Sequence, residues 1–231
     1  MSTLHYIFDP LCGWCYAVAP LLRAAREVPG LSIALHGGGM MTGANRRSIT
    51  PQWRDYVLPH DRRIAQLTGQ PFGEAYFEGL LRDTTAVMDS APPTTAILAA
   101  EELAGRGLDM AHRLQHAHYA EGRRIADQAV LQALAAELGL EVASFTAAFE
   151  RLAGEATEQH FRDSRHWLAR VGGQGFPTLV LEQADGALTR IDVSPFLGQP
   201  DAFAAALRQQ VPAADAAEMI PHCGLDGCTD A

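Results

Sequence analysis

Leu4-His5-Tyr6-Ile7-Phe8-Asp9-Pro10-Leu11-Cys12-Gly13-Trp14-Cys15 is the stretch from which the rest of the chain is read. Tyr6, Ile7 and Phe8 favour extended backbone and run into turn residues at Asp9-Pro10, so a short strand is predicted here. From Trp14 onward, Val18, Leu21, Leu22 and Ala25 recur at helical spacing, which predicts an amphipathic helix to about Val28. Cys12 then falls at or beside the helix N-terminus, where unpaired amides and the macrodipole favour negative charge. A disulfide-exchange nucleophile must be a thiolate, and this is a place where a fold can stabilise one. Cys15 stands three residues on, close enough to close an intramolecular disulfide, and is the natural resolving thiol. Cys-x-x-Cys alone is also half of a zinc site, or two inert thiols. Strand, turn, Cys-x-x-Cys and helix in succession favour redox chemistry.

Composition narrows the field further. A chain of 231 residues, 48% hydrophobic, can bury a good core as one large or two small domains. Its net charge of −9 and its lack of any basic run argue against nucleic acid or an anionic membrane as partner. All 18 basic residues are arginine, so Schiff-base and lysine general-base chemistry is excluded. The first 20 residues lack a basic leader and carry both cysteines, and no apolar run reaches membrane-spanning length. A soluble, cytoplasmic protein is expected, and in a reducing compartment four cysteines are catalytic or metal-binding rather than a scaffold.

After the first helix, Pro29-Gly30 breaks the pattern and Leu31 to Leu35 alternates as a second strand, parallel to the first through a right-handed crossover. His36-Gly37-Gly38-Gly39 follows; it lacks the spacing of a phosphate loop and reads as a structural turn. From about Pro51 to Gly172 helical periodicity takes over. One helix starts at Pro92-Pro93, with Ile97, Leu98 and Leu103 on its apolar side, and stops at Gly105. Others run to about Gly122, from Asp127 to Gly139 with ordinary caps, over Val142 to Leu152, and over Thr157 to Val171. Strand-like sequence returns at Phe176 to Leu181, turns at Ala184-Asp185-Gly186 and answers with Leu188 to Ile191. Asp201 to Val211 is a last amphipathic helix. The order β-α-β, helical block, β-hairpin, α implies a helical domain grafted between two halves of an α/β unit. The expected boundaries are 1–44 and 171–212 for the two halves, 45–170 for the insert and 213–231 for a tail.

These ends resemble a thioredoxin fold, and the insert resembles that of its DsbA-like branch. Phe8-Asp9-Pro10-Leu11-Cys12-Gly13-Trp14-Cys15 is similar to the active site of cytoplasmic FrnE-like members. Val171-Gly172-Gly173-Gln174-Gly175-Phe176-Pro177-Thr178-Leu179-Val180-Leu181 is similar to the cis-proline loop, and Leu114 to Ile125 followed by Gly139-Leu140 resembles the insert of DsbA and kappa-class glutathione transferases. The resemblance implies a thiol–disulfide oxidoreductase or isomerase. In it Cys12 attacks, Cys15 resolves, and a cis Phe176-Pro177 bond faces the disulfide and leaves the Phe176 backbone free to pair with substrate. Gly13, Trp14, Phe176 and Pro177 are then the substrate-binding positions, Trp14 as a lip or else as core. No cofactor beyond the redox-active disulfide is implied, with glutathione a candidate co-substrate. Partners would be protein or small-molecule thiols and disulfides, with the thioredoxin or glutathione system for recycling.

Departures from the family pattern matter. The buried acid that thioredoxin and DsbA place six residues before the first cysteine is Tyr6 here. Asp9 is the acid left nearby, as a proton shuttle for Cys15 or simply a turn former before Pro10. Gly13-Trp14 replaces the Pro-His of strongly oxidising DsbA, so a middling or reducing potential is expected. Cys223 and Cys228, preceded by His222, form a second redox pair, part of a metal site, or free tail thiols. His112 and His116 share a helix face at metal-ligand spacing but read as solvated. His5 and His36 flank strands near the site, as tuning or structural groups. Two other readings stay open: a small-molecule enzyme like kappa-class glutathione transferase or 2-hydroxychromene-2-carboxylate isomerase, and a zinc-binding or redox-sensing protein.

Overall fold

The computed structural model describes residues 1–211. Strand β1 (Ser2–Phe8) leads through the Asp9–Cys12 turn into α1 (Gly13–Arg26), and β2 (Leu31–Gly37) returns beside β1 in parallel. Much later β5 (Thr178–Glu182) adds to the other edge of β1, antiparallel, with Tyr6 opposite Leu179, and β6 (Leu188–Ile191) pairs with β5. The sheet order is β2-β1-β5-β6, with β1 central. Alternation along β1 sends Leu4, Tyr6 and Phe8 into the core with α1 and α8 (Pro200–Gln210), while His5 meets α7 (Glu155–Arg170) on the opposite face.

Between β2 and β5 run α2 (Pro51–Thr68), α3 (Ala91–Ala104), α4 (Gly107–Tyr119), α5 (Gln128–Glu137), α6 (Val142–Leu152) and α7. Their ends follow local chemistry. Thr50 caps α2 by accepting from the Trp53 amide at 3.1 Å, and Pro51 fills the first helical position. Glu141 accepts from the Ala143 and Ser144 amides, and Gly69, Gly105 and Gly139 take left-handed conformations just past helix ends. Two expectations need correction. Leu103 is 40% exposed, because α3 buries its Thr94–Ala100 stretch and its last turn overhangs solvent. Asp127 sits at the start of α5 but its side chain makes no capping bond.

Two features were not legible beforehand. Arg47–Ser48 (β3) and Val87–Met88 (β4) form a two-stranded ribbon, too short to carry a period. A π-helical turn at Ala75–Gly79 brings Tyr76 inward, and such turns often accompany functional sites. Tyr16 on α1 donates to the Pro71 carbonyl at 2.9 Å and Gln70 donates to the Tyr16 carbonyl at 2.8 Å, tying the helical block to the cysteine-bearing helix.

Candidate active site

Cys12 occupies the N-cap position of α1 in an extended conformation, and its carbonyl accepts from the amides of Cys15 and Tyr16. Both cysteines are free thiols; Cys12 is 8% exposed and Cys15 fully buried. The pair is therefore layered, with Cys12 at the surface of the site and Cys15 beneath. Burial pushes the Cys15 thiol well up, and the neighbouring Cys12 thiol adds to that. A thiol held protonated in this way is an inert reserve until something takes its proton.

Tyr6 and Asp9 frame Cys15 from below. The Tyr6 hydroxyl donates to the Cys15 carbonyl at 3.1 Å, so the residue standing where the family has an acid fastens α1 to β1. Burial holds that phenol well above its ordinary range. The Asp9 amide donates to Cys15 Sγ at 3.5 Å. The Asp9 carboxylate accepts from the Leu11 amide at 2.9 Å, the Met40 amide at 2.6 Å and the Ser90 hydroxyl at 2.9 Å. It is fully buried, and desolvation raises it to about 6 despite those donors. Asp9 thus makes the turn the sequence suggests, and also stitches the turn to the loop after β2 and to the start of α3.

Phe176 and Pro177 arrive from the other end of the chain. Their peptide bond is cis, and the Cys12 thiol donates to the Phe176 carbonyl at 3.5 Å. The glycine run packs against the same loop. A Cβ on Gly38 would lie 2.0 Å from the Phe176 ring, so only glycine lets that ring seat there. Arg165 of α7 donates to the Gly38 and Gly39 carbonyls at 2.9 and 2.6 Å and holds the run in place. Trp14 is half-buried between two hollows: one of about 550 Å³ bordered by Phe176, Pro177 and Leu197, and one of about 220 Å³ beside Cys12.

The smaller hollow contains what sequence reasoning missed. Asp61 of α2 is 4% exposed and reaches the start of α1; a Cβ on Gly13 would sit 2.9 Å from Asp61 Oδ1. Tyr76, from the π-helical turn, donates to Asp61 Oδ2 at 2.8 Å, and burial raises the carboxyl to about 6. Tyr119 packs beside Tyr76 there, and Trp53 and Tyr56 of α2 also line the hollow. The one advance signal was an aspartate beside two basic residues in a helix; its partners come from tertiary packing.

Other candidates lie elsewhere. His5 donates to or accepts from His36 at 2.9 Å, pairs with Glu182 at 2.7 Å and stacks on Trp167, and neither histidine lines the hollow beside Cys12. His116 is exposed near Glu121, whereas His112 turns inward and burial pushes it down to about 3. Among the described residues no group of three or more His, Cys, Asp or Glu is placed to hold a metal ion. Cys223, Cys228 and His222 lie outside the described residues.

Comparison with known proteins bears on this geometry. Residues 3–196 match the family described as the DSBA-like thioredoxin domain. The cytosolic disulfide reductase DsbM from Pseudomonas aeruginosa is 58% identical, over 90% of this chain and 98% of that one, with a TM-score of 0.85. A structure of the same reductase with GSH is 56% identical over the same shares, at a TM-score of 0.83. A 2-hydroxychromene-2-carboxylate isomerase shares the fold at 18% identity and a TM-score of 0.55, over 90% of this chain and 97% of that one. A search of the curated proteins returns no match. Among the described residues no helix is long and apolar enough to cross a membrane.

Proposed function

The chain belongs to the family of DSBA-like thioredoxin domains and is a thiol–disulfide oxidoreductase, and from that premise we propose that it works as a disulfide reductase through Cys12 and Cys15. The layered thiols carry the reading: one at a helix N-terminus facing a hollow, the other fully buried behind it. The Cys12 thiolate attacks one sulfur of a substrate disulfide and forms a mixed disulfide, releasing the first substrate thiolate. Cys15, deprotonated, then attacks the Cys12 sulfur; the Cys12–Cys15 disulfide forms and the second substrate thiolate leaves. Two electrons pass from the dithiol to the substrate.

Asp9, whose backbone amide donates to Cys15 Sγ at 3.5 Å, is the proton acceptor for this step. It is the carboxylate whose charge bears on Cys15, and at about 6 it is ionised at neutral pH while remaining a credible base. The Phe176 carbonyl and the 550 Å³ hollow beside Pro177 offer the backbone and side-chain contacts for the substrate. That the similar reductase is cytosolic, and has a structure with GSH, supports a cytoplasmic setting and glutathione as redox partner.

The test is the equilibrium potential of Cys12–Cys15 in glutathione buffers, on chain carrying Cys223→Ser and Cys228→Ser. A reductant gives about −270 mV or lower, whereas about −180 mV or higher marks an oxidant or isomerase and overturns the direction. Cys12→Ser should abolish disulfide reduction; retained activity overturns the mechanism.

A further inference from the structure

The hollow beside Cys12 is built unlike a surface for a folded protein. At about 220 Å³ it falls below the range usual for drug-sized ligands, so it admits a short arm rather than a loop. Its walls carry Trp14, Trp53, Tyr56, Tyr76 and Tyr119 among aliphatic and methionine side chains, and His60 and Asp61 also line it. Aromatic rings and a carboxylate are together the chemistry that holds an ammonium group.

Asp61 has the capacity to spare. Its Oδ2 takes the Tyr76 hydroxyl, while Oδ1 accepts no hydrogen bond among the described residues. No arginine or histidine forms an ion pair with it there, and the chain has no lysine to supply one. A buried carboxylate without a cation is costly, and a cationic ligand offsets that cost. Gly13 permits the arrangement, since any larger residue between the cysteines at that position crowds Oδ1.

We propose that Asp61 and the surrounding aromatic side chains form an ammonium-binding subsite that selects small disulfides carrying an amino group near the sulfur attacked by Cys12. Simple aminothiol disulfides carry that chemistry; in glutathione disulfide the cysteine nitrogen is an amide and the free ammonium stands at the far end of the γ-glutamyl arm. The proposal rests on the disulfide-exchange reading above. The reaction is unchanged by it: Cys12–Cys15 is oxidised to the disulfide and the bound disulfide is reduced to two thiols, whichever arm occupies the hollow.

The experiment is single-turnover oxidation of the reduced full-length chain, tail cysteines changed to serine, followed by rapid-quench mass spectrometry. Three disulfides of similar size serve as probes: cystamine (cationic), bis(2-hydroxyethyl) disulfide (neutral) and dithiodiglycolate (anionic). Each rate is divided by that of the same disulfide with free mercaptoethanol, which removes intrinsic leaving-group differences. The normalised order should be cation, neutral, anion. Asp61→Asn should compress the cation-to-neutral ratio by about tenfold or more, as loss of a close charge pair does. Asp55→Asn, an exposed position on the same helix with the same change in net charge, should keep the ratio. A flat order in the unaltered chain overturns the subsite, as does an equal compression by both substitutions. If Asp61→Asn does not fold, the order in the unaltered chain and in Asp55→Asn decides. Oxidation by none of the probes instead overturns the disulfide-exchange reading itself, so the two failures are distinguishable. Glutathione disulfide against cystamine then separates a γ-glutamyl ligand from a bare aminothiol.

Discussion

Asp9 stands against Cys15 and Asp61 against Gly13, and burial raises both to about 6, yet Asp9 collects three hydrogen bonds and Asp61 one. Asp9 belongs to the sheet half, where the donors are a turn amide, a loop amide and the hydroxyl that opens α3. Asp61 belongs to the helical block, where its one donor is a tyrosine from an irregular turn. Two carboxylates of the same titration range therefore have different jobs. One held by three donors is fixed in the framework beside Cys15; one with an open oxygen beside a hollow has room for a further donor.

Removing each side chain should separate the two by stability. Asp9→Ala leaves two amides and a hydroxyl buried without their acceptor, whereas Asp61→Ala frees only the Tyr76 hydroxyl. Each also removes a buried charge, so Asp9→Ala should be less stable than Asp61→Ala by about 2–4 kcal/mol in urea unfolding at pH 7. Equal losses would break the distinction between framework and open carboxylate.

Titration sharpens the same contrast. A carboxyl raised from 3.8 to about 6 binds more protons folded than unfolded between those values. Stability therefore falls as pH rises from about 4 to about 6, and the whole cost, roughly 3 kcal/mol for each group, is present above that window. Asparagine at either position removes the titration. Relative to the unaltered chain, Asp9→Asn and Asp61→Asn should each gain roughly 3 kcal/mol between pH 4 and pH 7 in parallel urea unfolding curves. The Asp9→Asn curve should lie about 1–3 kcal/mol below the Asp61→Asn curve throughout, because an amide cannot accept all three donors. A flat difference for Asp9 alone would mean that its donors outweigh burial, and would remove it as the base for Cys15.

The two carboxylates also differ in how far the sequence exposes them. Asp9 precedes a proline at the end of an apolar strand, so its presence at the turn was readable, and the missing acid at Tyr6 was readable as a departure. The hairpin around Gly186, the helix stops at Gly105 and Gly139, and the cysteines at a helix start were likewise marked by local punctuation. Local rules do not reach Asp61. Its placement needs α2 docked on α1, Tyr76 delivered by a π-helical turn, and a glycine at the point of approach. The β3–β4 ribbon escaped for a related reason, since two residues have no period and Arg47 pairs with the distant Met88, Ser48 with Val87. Three consecutive glycines were readable as a turn, but the reason for them, the Phe176 ring seated against Gly38, comes from the far end of the chain.

Gly13→Ala gives the smallest expected change in stability and probes the contrast most narrowly. Gly13 is the first residue of α1 and has no left-handed conformation, so alanine meets no backbone obstacle. Alanine in a helix gains up to about 1 kcal/mol over glycine, less at a first turn. Against that, its Cβ would stand 2.9 Å from Asp61 Oδ1 and 3.1 Å from Ile64, so the α2 side chains must give way by some tenths of an ångström. The two effects oppose each other, and the net should stay within about 1 kcal/mol in either direction. Asp9 is not among the groups nearest that Cβ, which are Asp61, Ile64 and Tyr119, so the pH-dependent difference assigned to it should persist. The cation-to-neutral rate ratio, in contrast, should fall, because the displaced carboxylate no longer faces the hollow in the same place. A change confined to that ratio would show that the residue between the cysteines acts through Asp61; an equal slowing with every disulfide would place its effect on Cys12 instead.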